Sequence, residues 1–412
     1  MVERNLDETR DFPYAMTMDS TSPMLAGGIA YSELVLGSFD EEKATAVAQR
    51  AHQKLGDRAS IAFLFISCDL RDSLRDIVEL VQIHARCPHV VGCSAGGLIG
   101  LEEEEEEKSG FSLLVLRLPN TELEVVSVPV ESHHATWDQC KRWSRDGSEG
   151  WILLGNPVLL GEDWMSHWND VTGNRPVYGG LASGSHRADE LFVFNERGIQ
   201  EGAAAIAIGM RGGVQFCGLV SQGCRPIGEP FTITKVNDNL IHQLASKNAY
   251  EQLQETFHKL SEQQRERAQG NILIGLAMSE YVEDFHTGDF LVRSILGGDP
   301  NNGALAVGAL PRVGQTLQFQ LRDKEAASAD LDLALRKCNR DLVQPPFAAL
   351  LFACSGRGSH MFGQPNHDAQ KFADSLGPLP ISGFFCNGEI GTVGAKAYLH
   401  GFTASAVILA DK

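Results

Sequence analysis

The stretch AALLFACSGRG (Ala348 to Gly358), followed by PLPISGFFCNGEIG (Pro378 to Gly391), decides the fold class. Its first half is short and continuously apolar, which predicts a strand covered on both faces. Ala369, Phe372, Ala373 and Leu376 then share one face of a helix, and the second half runs through another strand into a glycine corner. The same order recurs twice upstream. AFLFIS (Ala62 to Ser67) leads through Leu74, Ile77, Val78 and Val81 to HVVGCSAGG (His89 to Gly97). WILLGNP (Trp151 to Pro157) leads through Trp164, Met165 and Trp168 to RPVYGGLASG (Arg175 to Gly184). Every copy carries two glycines five apart, Gly92 and Gly97, Gly179 and Gly184, Gly383 and Gly388, so one corner geometry is reused. Each corner precedes a run that reads as a paired strand: FSLLVLRL from Phe111, AAAIAIGM from Ala203, TASAVIL from Thr403. The expected class is mixed α/β, with large sheets and helices built from these strand–helix–strand–corner units, in two domains.

Outside the units, residues 1–25 read as a polar arm, and a helix begins at Asp40 with Ala44, Val47, Ala48, Ala51 and Leu55 on one face and Gly56 at its end. Leu240, Ile241, Leu244, Leu253, Phe257 and Leu260 predict a helical stretch from Val236 to Gly270, which places the domain boundary near its start, with domains at 26–236 and 237–412. The run Glu102 to Glu107 is expected to be a solvated loop, because like charges so close repel one another.

The 412 residues are 43% hydrophobic and 21% charged, enough for sizeable buried cores. Acids outnumber Lys and Arg by 53 to 35, a formal charge of −18, with no clustered basic face; nucleic acid and acidic membrane surfaces are poor partners. Nine cysteines without a CxxC pair read as reduced thiols, and no apolar run is long enough to span a bilayer, so a cytoplasmic protein is expected.

DFLVRSILGGDP (Asp289 to Pro300), GALAVG, VGQTLQFQLRD (Val313 to Asp323), LLFACSGRG, PISGFFCNGEIG and LHGFT (Leu399 to Thr403) occur in order and together resemble the C-terminal domain of the FIST family. AFLFIS, GCSAGG and VYGGLASG resemble its companion N-terminal domain. The chain has Thr392 where FIST C domains often carry proline. The resemblance implies a sensory module of intracellular signal transduction that binds small ligands, with amino acids proposed for the family. With no appended output domain recognisable, a signal would pass by association with a partner protein.

The sharpest candidate cluster is Cys354, Ser355, Gly356, Arg357 and Gly358 with Gly388, Glu389, Ile390 and Gly391. Parallel strands would release both loops at one sheet edge, where α/β folds place ligands. Arg357 offers a planar donor fork for a carboxylate and Glu389 an acceptor for an ammonium, complementing a zwitterionic amino acid; alternatively the two pair with each other. Phe384 and Phe385 point oppositely, so that Phe385 can line the pocket, with core packing of both as the default reading. Arg293 either reaches the same cavity or bridges to Asp299, and His400 is either a framework histidine or a further ligand contact. GCSAG, Gly92 to Gly96, matches a nucleophile elbow with Ser94 as the alternative catalytic group of an α/β hydrolase. Against this, glycine alignment of the corners sets Ser94 opposite Leu181 and Phe385, where no nucleophile stands. Cys354 is a candidate thiolate beside Arg357, with inert buried cysteine as the default. His360, His367 and Asp368 match no standard metal spacing, and no metal or cofactor is expected. A non-catalytic interaction scaffold is the remaining reading.

Overall fold

The apolar runs of the three repeats form the first strands of three sheets in the computed structural model, which describes residues 27–268, 270–281, 285 and 288–412. The polar arm lies outside the described residues. In each repeat two strands pair in parallel around a helix: Ile61–Ser67 with Val90–Ala95, Gly150–Gly155 with Val177–Leu181, and Pro346–Cys354 with Ile381–Cys386. The run after each corner returns antiparallel on the other side of the first strand, as Gly110–Arg117, Ala203–Gly212 and Thr403–Asp411. An edge strand then completes each set: Ile29–Leu36, Thr121–Pro129 and Val214–Gln222.

Each sheet is finished by a hairpin from a different repeat. Leu98–Gly100 and Glu103–Glu105, after the first corner, join the third sheet, with Ile99 opposite Gly383. Val193–Asn195 and Gly198–Ile199, after the second, join the first sheet, with Phe194 opposite Gly92. Glu389–Val393 and Lys396–His400, after the third, join the second sheet, with Ile390 opposite Gly179. The exchange is cyclic, and the corners are tied in the same cycle: Ser183 N–H donates to Ser94 O (3.0 Å), Leu181 N–H to Gly388 O (2.8 Å) and Phe385 N–H to Gly97 O (3.0 Å). The result is a pseudo-threefold arrangement of three six-stranded sheets.

Strand alternation sends side chains to two kinds of core. Phe63, Phe65, Ile152, Leu154, Leu350 and Phe352 meet in one central core shared by all three sheets. Their neighbours face outward under the helices, Leu64 and Ile66 in one layer, Trp151 and Leu153 in a second, Leu351 and Ala353 in a third. Burying each large apolar side chain contributes roughly 1.5–3 kcal/mol. The helix Glu41–Leu55 buries the predicted face and ends at Gly56, whose φ of 69° is the left-handed cap geometry that glycine adopts without strain. Trp164 and Trp168 stack at 5.5 Å in the second outer core.

Between Val214–Gln222 and the helix Lys324–Asp341 the third repeat carries an insertion. Strands Cys224–Asn237, Thr316–Arg322, Ile272–Ala277, Phe290–Asp299, Ala304–Val307 and Leu240–Leu244 pair antiparallel in that order. Cys224–Asn237 also pairs with Leu240–Leu244, closing the set into a barrel around Ile274, Leu305, Leu317 and Phe319. The expected helix from Val236 is thereby corrected. Leu240, Ile241 and Leu244 belong to a strand, and helix occupies only Ala249–Lys259 and Glu262–Ala268 in that stretch.

The acidic run is corrected too. Glu103–Glu105 is a strand, and pleating turns Glu104 inward, where it is 7% exposed and its Oε1 accepts from Ala369 N–H at 2.8 Å. Burial, with the Asp368 carboxylate close by, pushes the Glu104 carboxyl well above the usual range.

Candidate ligand site

The loops after Cys354 and Cys386 leave the third sheet side by side, since those residues are register partners. Arg357 and Glu389 do not meet there. Arg357 is fully buried and forks onto Asp368, Nε to Oδ2 at 2.6 Å and Nη2 to Oδ1 at 2.9 Å. Burial works against the Asp368 anion, but the guanidinium outweighs it and His367 adds to the effect, so the carboxyl stays far below its ordinary value. Glu389, also fully buried, accepts from Thr403 N–H (2.9 Å) and Thr403 Oγ1 (2.7 Å). Neither of the two alternatives, direct pairing or joint display at a cavity rim, is the observed geometry. Each group is bound to its own partner, and neither is among the residues lining the described clefts.

Burial raises the Glu389 carboxyl to about 7, partly offset by the Thr403 bonds. The native state therefore holds a proton that the unfolded chain has released, and stability falls as pH rises from the ordinary carboxylate range, about 4.3, through 7. His400 acts in the opposite sense below about pH 6.5, because burial lowers it to about 4. Chemical denaturation across this range is expected to show a shallower fall in Glu389→Gln than in the wild type. An unchanged slope would contradict the assignment.

The remaining candidates have separate surroundings. His400 is buried, its Nε2 at 3.0 Å from Gly391 O. Arg293 bridges to Glu162 (2.8 Å) and donates to Leu399 O (2.9 Å), not to Asp299; it lines a cleft of about 410 Å³ between the barrel and the second repeat. Phe384 packs in the central core and Phe385 under the helices of the third sheet. Ser94 is fully buried and its Oγ accepts from Phe192 N–H at 3.2 Å; its strand runs on into the exchanged hairpin, not into the helix an elbow requires. Burial, with Glu389 nearby, raises the Cys354 thiol to about 12, which opposes a thiolate. Thr392 bonds the backbone of Val177 through N–H and carbonyl alike.

The accessible cation beside the predicted loop is Arg322, at the end of the barrel strand Thr316–Arg322. It lines a cleft of about 430 Å³ with Asn271, Asp323, Lys324, Glu325, His360 and Met361. A Cβ on Gly356 would stand 3.0 Å from Arg322 Nη2, so glycine is what lets the guanidinium approach the loop backbone. Arg322 lies 5.5 Å from the Phe402 ring centroid and its Nη2 is 3.2 Å from His360 Nε2. Its Nε is buried without a hydrogen-bond partner, and among the described residues it forms no ion pair with a carboxylate. Burial lowers its pKa, the Arg357 charge contributing in the same direction. Three other cleft-lining cations are engaged: Arg71 with Asp189 O and Lys108 with Glu105 in a cleft of about 580 Å³ at the first corner, and Arg293 with Glu162. Sequence reasoning misses Arg322, which ends an alternating strand and looks like an ordinary solvated terminus.

This architecture is that of a mixed α/β protein with a cleft between the end of a barrel strand and the short helix that follows the Cys354 loop. The chain belongs to the FIST family: the FIST N domain matches residues 60–247 and the FIST C domain residues 249–392. Domains of this family are associated with sensory functions in signal transduction. An uncharacterized protein of Mycobacterium tuberculosis is 32% identical over 378 residues, covering 89% of this chain and 96% of its own. One of Mycobacterium bovis is 32% identical over 370 residues, covering 89% and 94%. An F-box/LRR-repeat protein of Arabidopsis thaliana is 37% identical over 108 residues, 24% of this chain and 20% of that protein. Among the described residues no helix is long and apolar enough to cross a membrane.

Proposed function

We propose that the chain is a cytoplasmic sensory protein that binds a small carboxylate-bearing metabolite, an amino acid being the type case, in the cleft between the barrel and the third repeat. The carrying observation is Arg322, a half-buried guanidinium with an unsatisfied Nε and no carboxylate partner among the described residues. A ligand carboxylate would supply the missing acceptor, and the cleft volume suits a small metabolite. His360 and Met361 face it from the short helix Ser359–Phe362, whose first N–H is held by Glu106 from the first repeat at 2.7 Å. An occupant bridging barrel and helix would favour one arrangement of these parts over another, and a partner protein would read the difference. All nine cysteines are free, which supports a reducing compartment.

A thermal-shift screen of amino acids and small carboxylic acids tests this reading. At a ligand concentration a hundredfold above Kd the expected gain is about 2.7 kcal/mol, seen as a raised midpoint in the wild type and lost in Arg322→Ala. Absence of stabilisation by any of them, or equal stabilisation of the variant, would sink it.

A further inference from the structure

Beside the cleft lies a hydrogen-bonded chain of three groups that ligand binding does not use. Ser328 Oγ is 3.1 Å from His367 Nε2, and His367 Nδ1 is 2.8 Å from Asp368 Oδ1. The fork from Arg357 keeps Asp368 ionised and therefore acceptor-only, so His367 Nδ1 is the donor in that contact. When the ring is neutral, its Nε2 lone pair is left to accept from the Ser328 hydroxyl. The imidazole is fixed by stacking on Phe362, centroids 3.5 Å apart and planes 7° from parallel.

Exposure rises along the chain toward the serine. His367 and Asp368 are enclosed, at 7% and 1% exposure, whereas Ser328 is half-buried on the helix Lys324–Asp341, next to exposed Ala329. Lys324 and Glu325, one turn earlier on this helix, line the cleft. The same two helices are also joined by Lys371 and Asp332 at 2.7 Å, so their packing does not depend on the serine alone.

From this geometry we infer that Ser328, His367 and Asp368 form a nucleophile, base and orienting group that hydrolyse small carboxylic esters. Ser328 Oγ bonds to the ester carbonyl carbon and its proton passes to His367 Nε2. The bond to the leaving alcohol breaks, and the departing oxygen takes that proton. A water then attacks the acyl-Ser328 by the same route, releasing the carboxylic acid and restoring the hydroxyl.

The test treats the full chain with a fluorophosphonate and, separately, with p-nitrophenyl acetate, followed by intact-mass measurement and peptide mapping. The expected result is a single phosphonyl adduct on Ser328 and steady release of p-nitrophenol. Both should vanish in Ser328→Ala with the thermal midpoint unchanged, and both should slow by about a hundredfold or more in His367→Gln. Ser328→Cys is expected to regain acylation. No adduct on Ser328 in the folded protein, or ester turnover undiminished in Ser328→Ala, would overturn the inference. Neither outcome depends on whether Arg322 holds a carboxylate.

Discussion

Asp368→Ala is expected to destabilise the protein by about 3–5 kcal/mol, because it strands a charged guanidinium in the interior. Arg357 has no exposed surface, and its Nη1 already lacks a partner. After the substitution the Phe362 ring, centroid at 5.3 Å, stays beside it and the Glu389 carboxyl acts on it only through space, and neither replaces two charge-assisted bonds. His367 loses its acceptor in the same step. Replacing both ions together, as Arg357→Met with Asp368→Leu, should recover most of the loss, since no unpaired charge then remains. Urea unfolding midpoints read both effects. A single-variant loss under about 1 kcal/mol, within the range of an exposed pair, would mean that water reaches the fork.

Gly383→Ala is the second large effect, and it stems from the pseudo-threefold corners. A Cβ at Gly383 would lie 1.9 Å from Leu351 O on the parallel partner strand. The equivalent glycines would meet the equivalent atoms: a Cβ at Gly92 would lie 1.8 Å from Leu64 O, and one at Gly179 1.9 Å from Leu153 O. None of the three has the positive φ that would otherwise explain glycine. The obstacle is backbone at the centre of a sheet, which cannot rotate aside as a side chain can. The cost should exceed about 3 kcal/mol, at the upper end for overpacking, and appear as loss of soluble folded protein. Gly297→Ala, where a Cβ meets nothing within 4 Å, is the matched control and should leave the midpoint near that of the wild type. Gly383→Ala behaving like the control would show that the strands are spaced differently.

The repeat itself is legible in the sequence because strand, helix and corner are local patterns. Phe352 and Leu351 alternate between cores as period-two logic demands, and Gly56 ends its helix as expected. The exchange of hairpins is not legible. Pairing of Ile99 with Gly383 joins residues far apart in the chain, and nothing within Leu98–Gly100 specifies which sheet receives it. Glu104 shows the consequence: its run reads as solvated until a distant helix supplies Ala369 N–H. Leu240, Ile241 and Leu244 fit a helical face, but in so short a run the barrel's pairing decides. At the site, glycine and charge point to the loops, whereas the partners of the charges have no local signal. Asp368 reads as the flank of a helix, and Thr403 as part of a returning strand. Arg322 is brought to the loop by the inserted barrel, which no local pattern relates to Gly356.

The most direct measurement is the Nε–Hε resonance of Arg322 in the intact protein, assigned by its loss in Arg322→Lys and followed while a carboxylate ligand from the stabilisation screen is titrated. A downfield shift of that proton, saturating in step with binding, is the predicted result, because the buried Nε gains its acceptor. Saturable binding that leaves this resonance in place would contradict the account and move the ligand to another part of the molecule.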